Sequence, residues 1–182
     1  MVSLVSSAHK FDDGGSKNVR RAGMNTQTAN LRVYSRDDVV SFRSTAGPFG
    51  GLSNMAPGFP VIVNQVRIRS VEALYQALRY PHLPEAQRLI IDQHSPMTAK
   101  MVGRRYFEQT RPDWDEIKVS LMRWCLRLKL AQNWEAFSSV LSSTRDRIIV
   151  EDSRKDQFWG AMPKGAATLE GKNVLGRLLM EL

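Results

Sequence analysis

Residues 47–80 read GPFGGLSNMAPGFPVIVNQVRIRSVEALYQALRY, a loop, a hairpin and a helix in that order. In the loop, Gly47, Gly50 and Gly51 fall within five residues, which permits positive φ and close approach of backbone to a ligand. Val61 and Val63 alternate with their neighbours, Asn64-Gln65 suits a turn, and Val66 and Ile68 alternate again, which predicts a hairpin. Ser70 is a good N-cap for a helix over Val71 to Tyr80. Glu72 then lies in the first turn beside the loop, where a carboxylate suits the positive end of the helix dipole. Two readings stay open: Glu72 stabilises the helix start, as first-turn acids commonly do, or it faces a ligand.

Outward from this segment, residues 1–29 are rich in Ser, Gly, Asn and charge with little periodicity, and predict a flexible N-terminal extension to a domain over residues 30–182. Asn30 to Ser35 and Val39 to Phe42 read as strands. Pro84 at a first turn opens a second helix with Ala86, Leu89 and Ile90 on its apolar side. Ser95-Pro96 starts a third, running through Arg104. Asp113 opens the longest helix, with Trp114, Ile117, Leu121, Trp124, Leu128 and Ala131 at three- and four-residue steps. Asn133 starts another, with Trp134, Phe137, Val140 and Leu141 inward. Arg147 to Val150 reads as a strand that delivers Glu151 to a polar turn. Residues 161–171 read as loop and Asn173 to Met180 as a closing helix. Helices dominate and strands are few, so the expected class is α+β: one mainly helical domain around a small β-sheet.

A chain of 182 residues buries a core without disulfides or metals. The single cysteine, Cys125, lies in a helix pattern and reads as a small core residue. His9, His82 and His94 are scattered without metal-ligand spacing, so no metal site and no cofactor are expected. No apolar run reaches the ~20 residues of a membrane span and the N-terminus lacks a secretory h-region, so a cytoplasmic protein without a membrane partner is expected. The net charge is +8; Lys10, Lys17, Arg20 and Arg21 against Asp12 and Asp13 put +2 in the first 23 residues and +6 in the remainder. That balance favours phosphates and nucleic acid as partners, or else is a solubilising surface.

Gly51-Leu52-Ser53-Asn54-Met55, Ser70-Val71-Glu72 and Gln76-Ala77 together resemble the signature of the NADAR family, named for NAD and ADP-ribose. Its members include YbiA-type N-glycosidases of riboflavin intermediates and glycohydrolases that remove ADP-ribose from guanine. Lys100 with Gly103-Arg104, Asp113-Trp114, Glu151, Asp156 to Gly160, Gly171-Lys172-Asn173 and Leu175-Gly176 continue the match over nearly all of residues 31–182. Two positions depart from the pattern: Ala73 stands where many relatives have His, and Arg79 where many have Lys near the helix end.

The resemblance implies a hydrolase that cleaves an N-glycosidic bond to a ribose phosphate. The loop, the Glu72–Gln76 segment and the basic balance look closer to the branch that removes ADP-ribose from guanine in nucleic acid. That branch implies an antitoxin-like role beside a cognate DNA ADP-ribosyltransferase. The riboflavin-intermediate glycosidase is the enzymatic alternative, and a non-catalytic module binding ADP-ribose or NAD the alternative of another class. N-glycoside cleavage builds positive charge on the sugar while the base leaves, so one carboxylate stabilises that charge or activates water and a second acid protonates the leaving nitrogen. By resemblance the leading pair is Glu72 and Asp156; Asp156 reads equally as a loop-forming acid. Lys100 is a candidate amine nucleophile on a ring-opened ribose, or a solvated charge. Trp114 and Trp159 are candidate base platforms, with core packing the rival for Trp114, whereas Trp124 and Trp134 read as core. Phe49, Gly50, Gly51, Ser53, Asn54, Gln76, Arg79, Arg104, Glu151, Gly160, Lys172 and Asn173 complete the substrate-binding candidates, largely as donors for phosphates.

Overall fold

The computed structural model describes residues 31–182, so the extension expected over residues 1–29 lies outside the described residues. Two short strands, β1 (Arg32–Ser35) and β2 (Val39–Phe42), lead through a 3₁₀ turn at Gly50–Leu52 into the hairpin of β3 (Val61–Val63) and β4 (Val66–Ile68). Four helices follow: α1 (Val71–Ala77), α2 (Pro84–Ile91), α3 (Pro96–Arg104) and, after a 3₁₀ turn at Phe107–Gln109, α4 (Trp114–Gln132). The chain closes with α5 (Trp134–Ser142), β5 (Ile148–Glu151), β6 (Met162–Pro163), β7 (Thr168–Gly171) and α6 (Val174–Leu179). The class is α+β as expected, but the strands form three small sheets: β1-β7-β6, a parallel β2-β5 pair and the β3-β4 hairpin.

The local signals worked where chemistry fixes the backbone. Asn64 and Gln65 both take positive φ, 49° and 66°, the pair a two-residue hairpin needs. Ser95 caps α3 in a reciprocal box with Thr98, with Pro96 at the first helical position. α1 stops at Ala77, short of the expected Tyr80, and every one of its seven residues is buried. It is therefore a central helix enclosed by α2, α3 and α4 rather than an amphipathic surface one.

Four expectations are corrected. Residues 161–171 carry β6 and β7, and β7 pairs with β1 across the whole chain, a contact that no local pattern reports. Trp124 and Trp134 are 41% and 64% exposed rather than core. Leu89 is also exposed, leaving Ala86 and Ile90 as the buried side of α2. The buried face of α4 is Trp114, Met122, Cys125, Leu126 and Lys129. A lysine on that face hides it from an apolar count, and the count follows Trp124 instead. The C-terminus of α4 closes the outer edge of β3: the Gln132 side chain exchanges hydrogen bonds of 2.7 and 2.9 Å with the backbone of Ile62. Among the described residues no helix is long and apolar enough to cross a membrane.

Candidate active site

Ser70 sets the site. Its hydroxyl accepts from Ala73 N at 3.2 Å and starts α1 so that Glu72 occupies the first turn. Glu72 N donates to Asn54 O at 3.2 Å, which ties the glycine-rich loop to the helix. The Glu72 carboxylate is buried, so it is not a solvated helix-start acid. Its Oε1 accepts from Gln76 Nε2 at 2.9 Å, one turn on, and lies 4.0 Å from Lys100 Nζ of α3. These side chains line a cavity of about 370 Å³.

The opposite wall descends from the parallel β2-β5 pair. Glu151 ends β5 opposite Phe42, and its side chain joins Glu72 and Asp156 on the cavity surface. Burial, then the charges of Asp156 and Glu72, push its carboxyl up to about 7, with Lys100 opposing them. Asp156 is committed on one side: Oδ1 accepts from the amides of Phe158 at 2.9 Å and Trp159 at 2.8 Å. The acid next to Glu151, Asp152, is held by Arg36 at 2.9 Å and Arg43 at 2.8 Å and does not line the cavity. Burial would raise its pKa, and the hydrogen bonds from the two guanidiniums outweigh that and lower it. Among the described residues no three His, Cys, Asp or Glu side chains converge as a metal site.

Glu72, Lys100, Asp156, Ser53, Asn54, Gln76, Arg79, Arg104, Glu151 and Trp159 thus share one cavity. Phe49, Gly50, Gly51, Trp114, Gly160, Lys172 and Asn173 do not line it, and each has a structural reason. Phe49 packs on the core and under the Arg147 guanidinium. A Cβ at Gly50 would meet Thr45 O at 2.2 Å, and one at Gly51 would press on Val140 and Phe59, so the loop glycines approach protein rather than ligand. Trp114 is buried beneath Arg79, whose guanidinium lies 4.4 Å from its ring. Lys172 reaches toward the Phe158 ring.

Asn173 is wholly buried in left-handed backbone, and its amide acts as a strand edge: Oδ1 accepts from Glu151 N at 3.1 Å and Nδ2 donates to Ile149 O at 2.8 Å. Gly160 packs on the carbonyl of Glu151, where a Cβ would sit 2.5 Å from the oxygen. Gly176 lies against Ile149 and Asn173 in the same way, at 2.1 and 2.5 Å. These residues hold the Glu151 backbone from behind.

Two features escaped the sequence reading. Lys129 is fully buried, and its Nζ donates to Gly51 O at 2.6 Å and Ser53 O at 3.0 Å between the rings of Phe59 and Phe137. It fastens the loop from below, and burial pulls its pKa down to about 7. Phe107 lines the cavity and is 59% exposed; an apolar residue in an unpredicted 3₁₀ turn gives no periodic signal. Asn54 Oδ1 and Arg79 Nε, both buried and on cavity residues, have no hydrogen-bond partner among the described residues.

The NADAR domain family matches residues 41–182. N-glycosidase YbiA of Escherichia coli K12 is 32% identical over 160 residues, spanning 87% of this chain and 95% of that protein. An N-glycosidase of Nostoc punctiforme is 32% identical over 145 residues, 79% of this chain and 89% of that one. A chloroplastic riboflavin biosynthesis protein of Zea mays, PYRR, is 31% identical over 158 residues, which cover 80% of this chain and 25% of that protein. The NMR structure of E. coli YbiA superposes with a TM-score of 0.67 at 31% identity, covering 86% of this chain and 88% of that one. By the extent of these matches, the chain belongs to the NADAR family.

Proposed function

We propose that this protein is an N-glycosidase that hydrolyses a bond between a ribose phosphate and a base, and that its substrate is guanine carrying ADP-ribose in nucleic acid. The observation that carries the reading is one cavity holding Glu72, Glu151 and Asp156 together with Lys100, Arg79 and Arg104. Carboxylates suit the cationic sugar of the transition state, and cations suit the phosphates attached to it. The N-glycosidase names of relatives that span the chain support the same class.

The roles divide by environment. Glu72, fixed by Gln76 and 4.0 Å from Lys100, takes the place of the carboxylate that balances the sugar and draws a proton from water. Glu151, whose carboxyl holds its proton up to about 7, is the donor to the leaving nitrogen. The C1′–N bond breaks with its electron pair going to the base, Glu151 supplies the proton there, and water adds to C1′ while passing a proton to Glu72. Asp156, bound to two amides, shapes the wall and raises the pKa of Glu151. This moves the proton-donor role from Asp156 to Glu151. Lys100, 4.0 Å from Glu72, is assigned here to pairing with that carboxylate and attracting phosphate, in place of the nucleophile's role.

A second substrate has its own support: the maize relative is a riboflavin biosynthesis protein. A single-stranded oligonucleotide bearing ADP-ribosyl-guanine and, separately, the phosphorylated riboflavin intermediates are incubated with the enzyme, and released ADP-ribose or ribose phosphate is followed. Release from the oligonucleotide supports the proposal. Release only from the riboflavin intermediates replaces it, and binding of ADP-ribose without any turnover would make the domain a binding module.

A further inference from the structure

We propose that Phe107 is the base-stacking platform at the mouth of the cavity, and that Arg105 beside it takes the backbone phosphate of a single nucleic-acid strand whose modified base enters the site. The inference rests on the nucleic-acid reading above and assigns it a surface.

Among the aromatic side chains at or near the cavity, Phe107 is the most exposed. Trp114 is covered by Arg79, and Trp159 packs edge-on against Tyr75 at 5.7 Å and Phe158 at 5.0 Å. Phe107 has Arg79 on one side, at 5.6 Å from its ring centre, and stays 59% exposed. Arg79 thus contacts both rings, Trp114 beneath and Phe107 above, which stiffens the platform. The turn that carries Phe107 is itself fixed: the Thr110 hydroxyl and amide both donate to Phe107 O, at 2.6 and 3.1 Å, and Tyr106 packs on the buried Tyr80 ring. A preorganised aromatic face loses little entropy when a base stacks on it.

The surroundings suit a polyanion. Arg104 lines the cavity, Arg105 is exposed one residue on, and Glu108 is the single acid of the turn. Met97 and Met101, 56% and 57% exposed, precede Arg105 at four-residue steps and extend the same edge of α3 with soft apolar surface. Aromatic and apolar faces between arginines are the features that hold a single strand without reading its sequence.

The test compares kcat and KM on two substrates, the ADP-ribosylated single-stranded oligonucleotide and the free ADP-ribosyl-guanosine, for wild type, F107A, F107L, F107W and R105Q. Because Phe107 and Arg105 are exposed, thermal melting should match wild type. F107A and F107L should raise KM roughly 10- to 100-fold on both substrates with kcat little changed, and F107W should restore it. R105Q should raise KM on the oligonucleotide alone and lower its salt slope by about 0.7. An unchanged KM in F107A, or F107L behaving as wild type, would overturn the platform. An R105Q effect equal on both substrates, or absent from both, would overturn the strand contact. If wild type turns over neither substrate, the nucleic-acid reading itself fails, which these variants cannot mimic.

Discussion

The two walls of the cavity are built by different means. The α1 wall is built locally, with Ser70, Glu72 and Gln76 making their key contacts within four residues of one another, while the loop beside it is fastened by Lys129 of α4. The wall of β5 is held from a distance. Asn173 reaches Glu151 from twenty-two residues away, and Gly160 closes on its carbonyl. Each wall also buries one group whose pKa is moved to about 7, in opposite senses: Glu151 is raised and Lys129, under the loop, is lowered. The helical part of the first wall tolerates changes elsewhere in the chain, whereas the loop beside it and the β5 wall each depend on a remote clamp, Lys129 and Asn173.

The largest expected effects test the division of roles between the walls. Glu72→Gln should reduce kcat by ~10²–10⁴-fold with the fold retained, since Gln keeps the bond to Gln76 but cannot balance a cation or take a proton. Glu151→Gln should cost a comparable factor, and the pH profile separates the two. In wild type kcat/KM should fall as pH rises through about 7, where Glu151 loses its proton. That limb should vanish in Glu151→Gln and persist in the residual activity of Glu72→Gln. Stability offers a second readout. The folded pKa of Glu151 lies above its unfolded value, so the proton's contribution is full at low pH and lost as pH rises through about 7. At pH 8, Glu151→Gln should therefore be more stable than wild type by roughly 1–3 kcal/mol in urea unfolding. A high-pH limb that instead disappears in Asp156→Asn would return the donor role to Asp156.

The difference between the walls also explains what could be read from the sequence. The N-cap at Ser70, the Asn64-Gln65 turn and the capped start of α3 are local chemistry, and each was legible. The same local spacing put Glu72 in the first turn beside the loop, but it left open whether the carboxylate caps the helix or faces a ligand; its place on the cavity comes from the fold. β7 was not legible, because its partner β1 lies more than a hundred residues earlier and its own residues, TLEG, carry little strand signal. Asn173 and the loop glycines were grouped with ligand contacts because motif residues that build a site and residues that touch a ligand look alike in one dimension. Trp134 falls on the same apolar stripe as Phe137, Val140 and Leu141, yet Phe137 is fully buried and Trp134, at the start of its helix, is 64% exposed.

A middle-sized effect tests the remote clamp. Asn173→Ala removes an amide that satisfies both Glu151 N and Ile149 O inside the protein and places alanine in left-handed backbone. Two buried backbone groups left without partners should cost roughly 2–4 kcal/mol of stability. Among molecules that remain folded, kcat should fall more than KM rises, because Glu151 shifts while the opposite wall stays in place. Asn173→Asp keeps the acceptor for Glu151 N and loses the donor to Ile149 O, so it should recover part of both losses. An Asn173→Ala protein with wild-type melting would show that the β5 wall is as self-sufficient as the α1 wall.

The smallest effect concerns Lys129, the counterpart of Glu151 beneath the loop. Burial lowers its pKa to about 7, while the unfolded chain binds that proton up to about 10.4. Between these values the unfolded state carries more protons, so stability should rise with pH, the reverse of the Glu151 contribution. Lys129→Met keeps an unbranched chain between Phe59 and Phe137 but gives up the bonds to Gly51 O and Ser53 O. The wild-type advantage over Lys129→Met should therefore grow from pH 7 to pH 9 by about 1 kcal/mol per pH unit. Neutral lysine still donates to both carbonyls, so the loop stays fastened over this range and KM should remain flat in wild type. In Lys129→Met the loop carrying Ser53 and Asn54 loses its fastening, and KM should rise severalfold at every pH. An advantage that stays constant from pH 7 to pH 9 would mean that the two carbonyls and two ring faces hold the ammonium against the pull of burial. Lys129 would then be a permanently charged clasp, and the pairing of opposite titrations across the cavity would reduce to Glu151 alone.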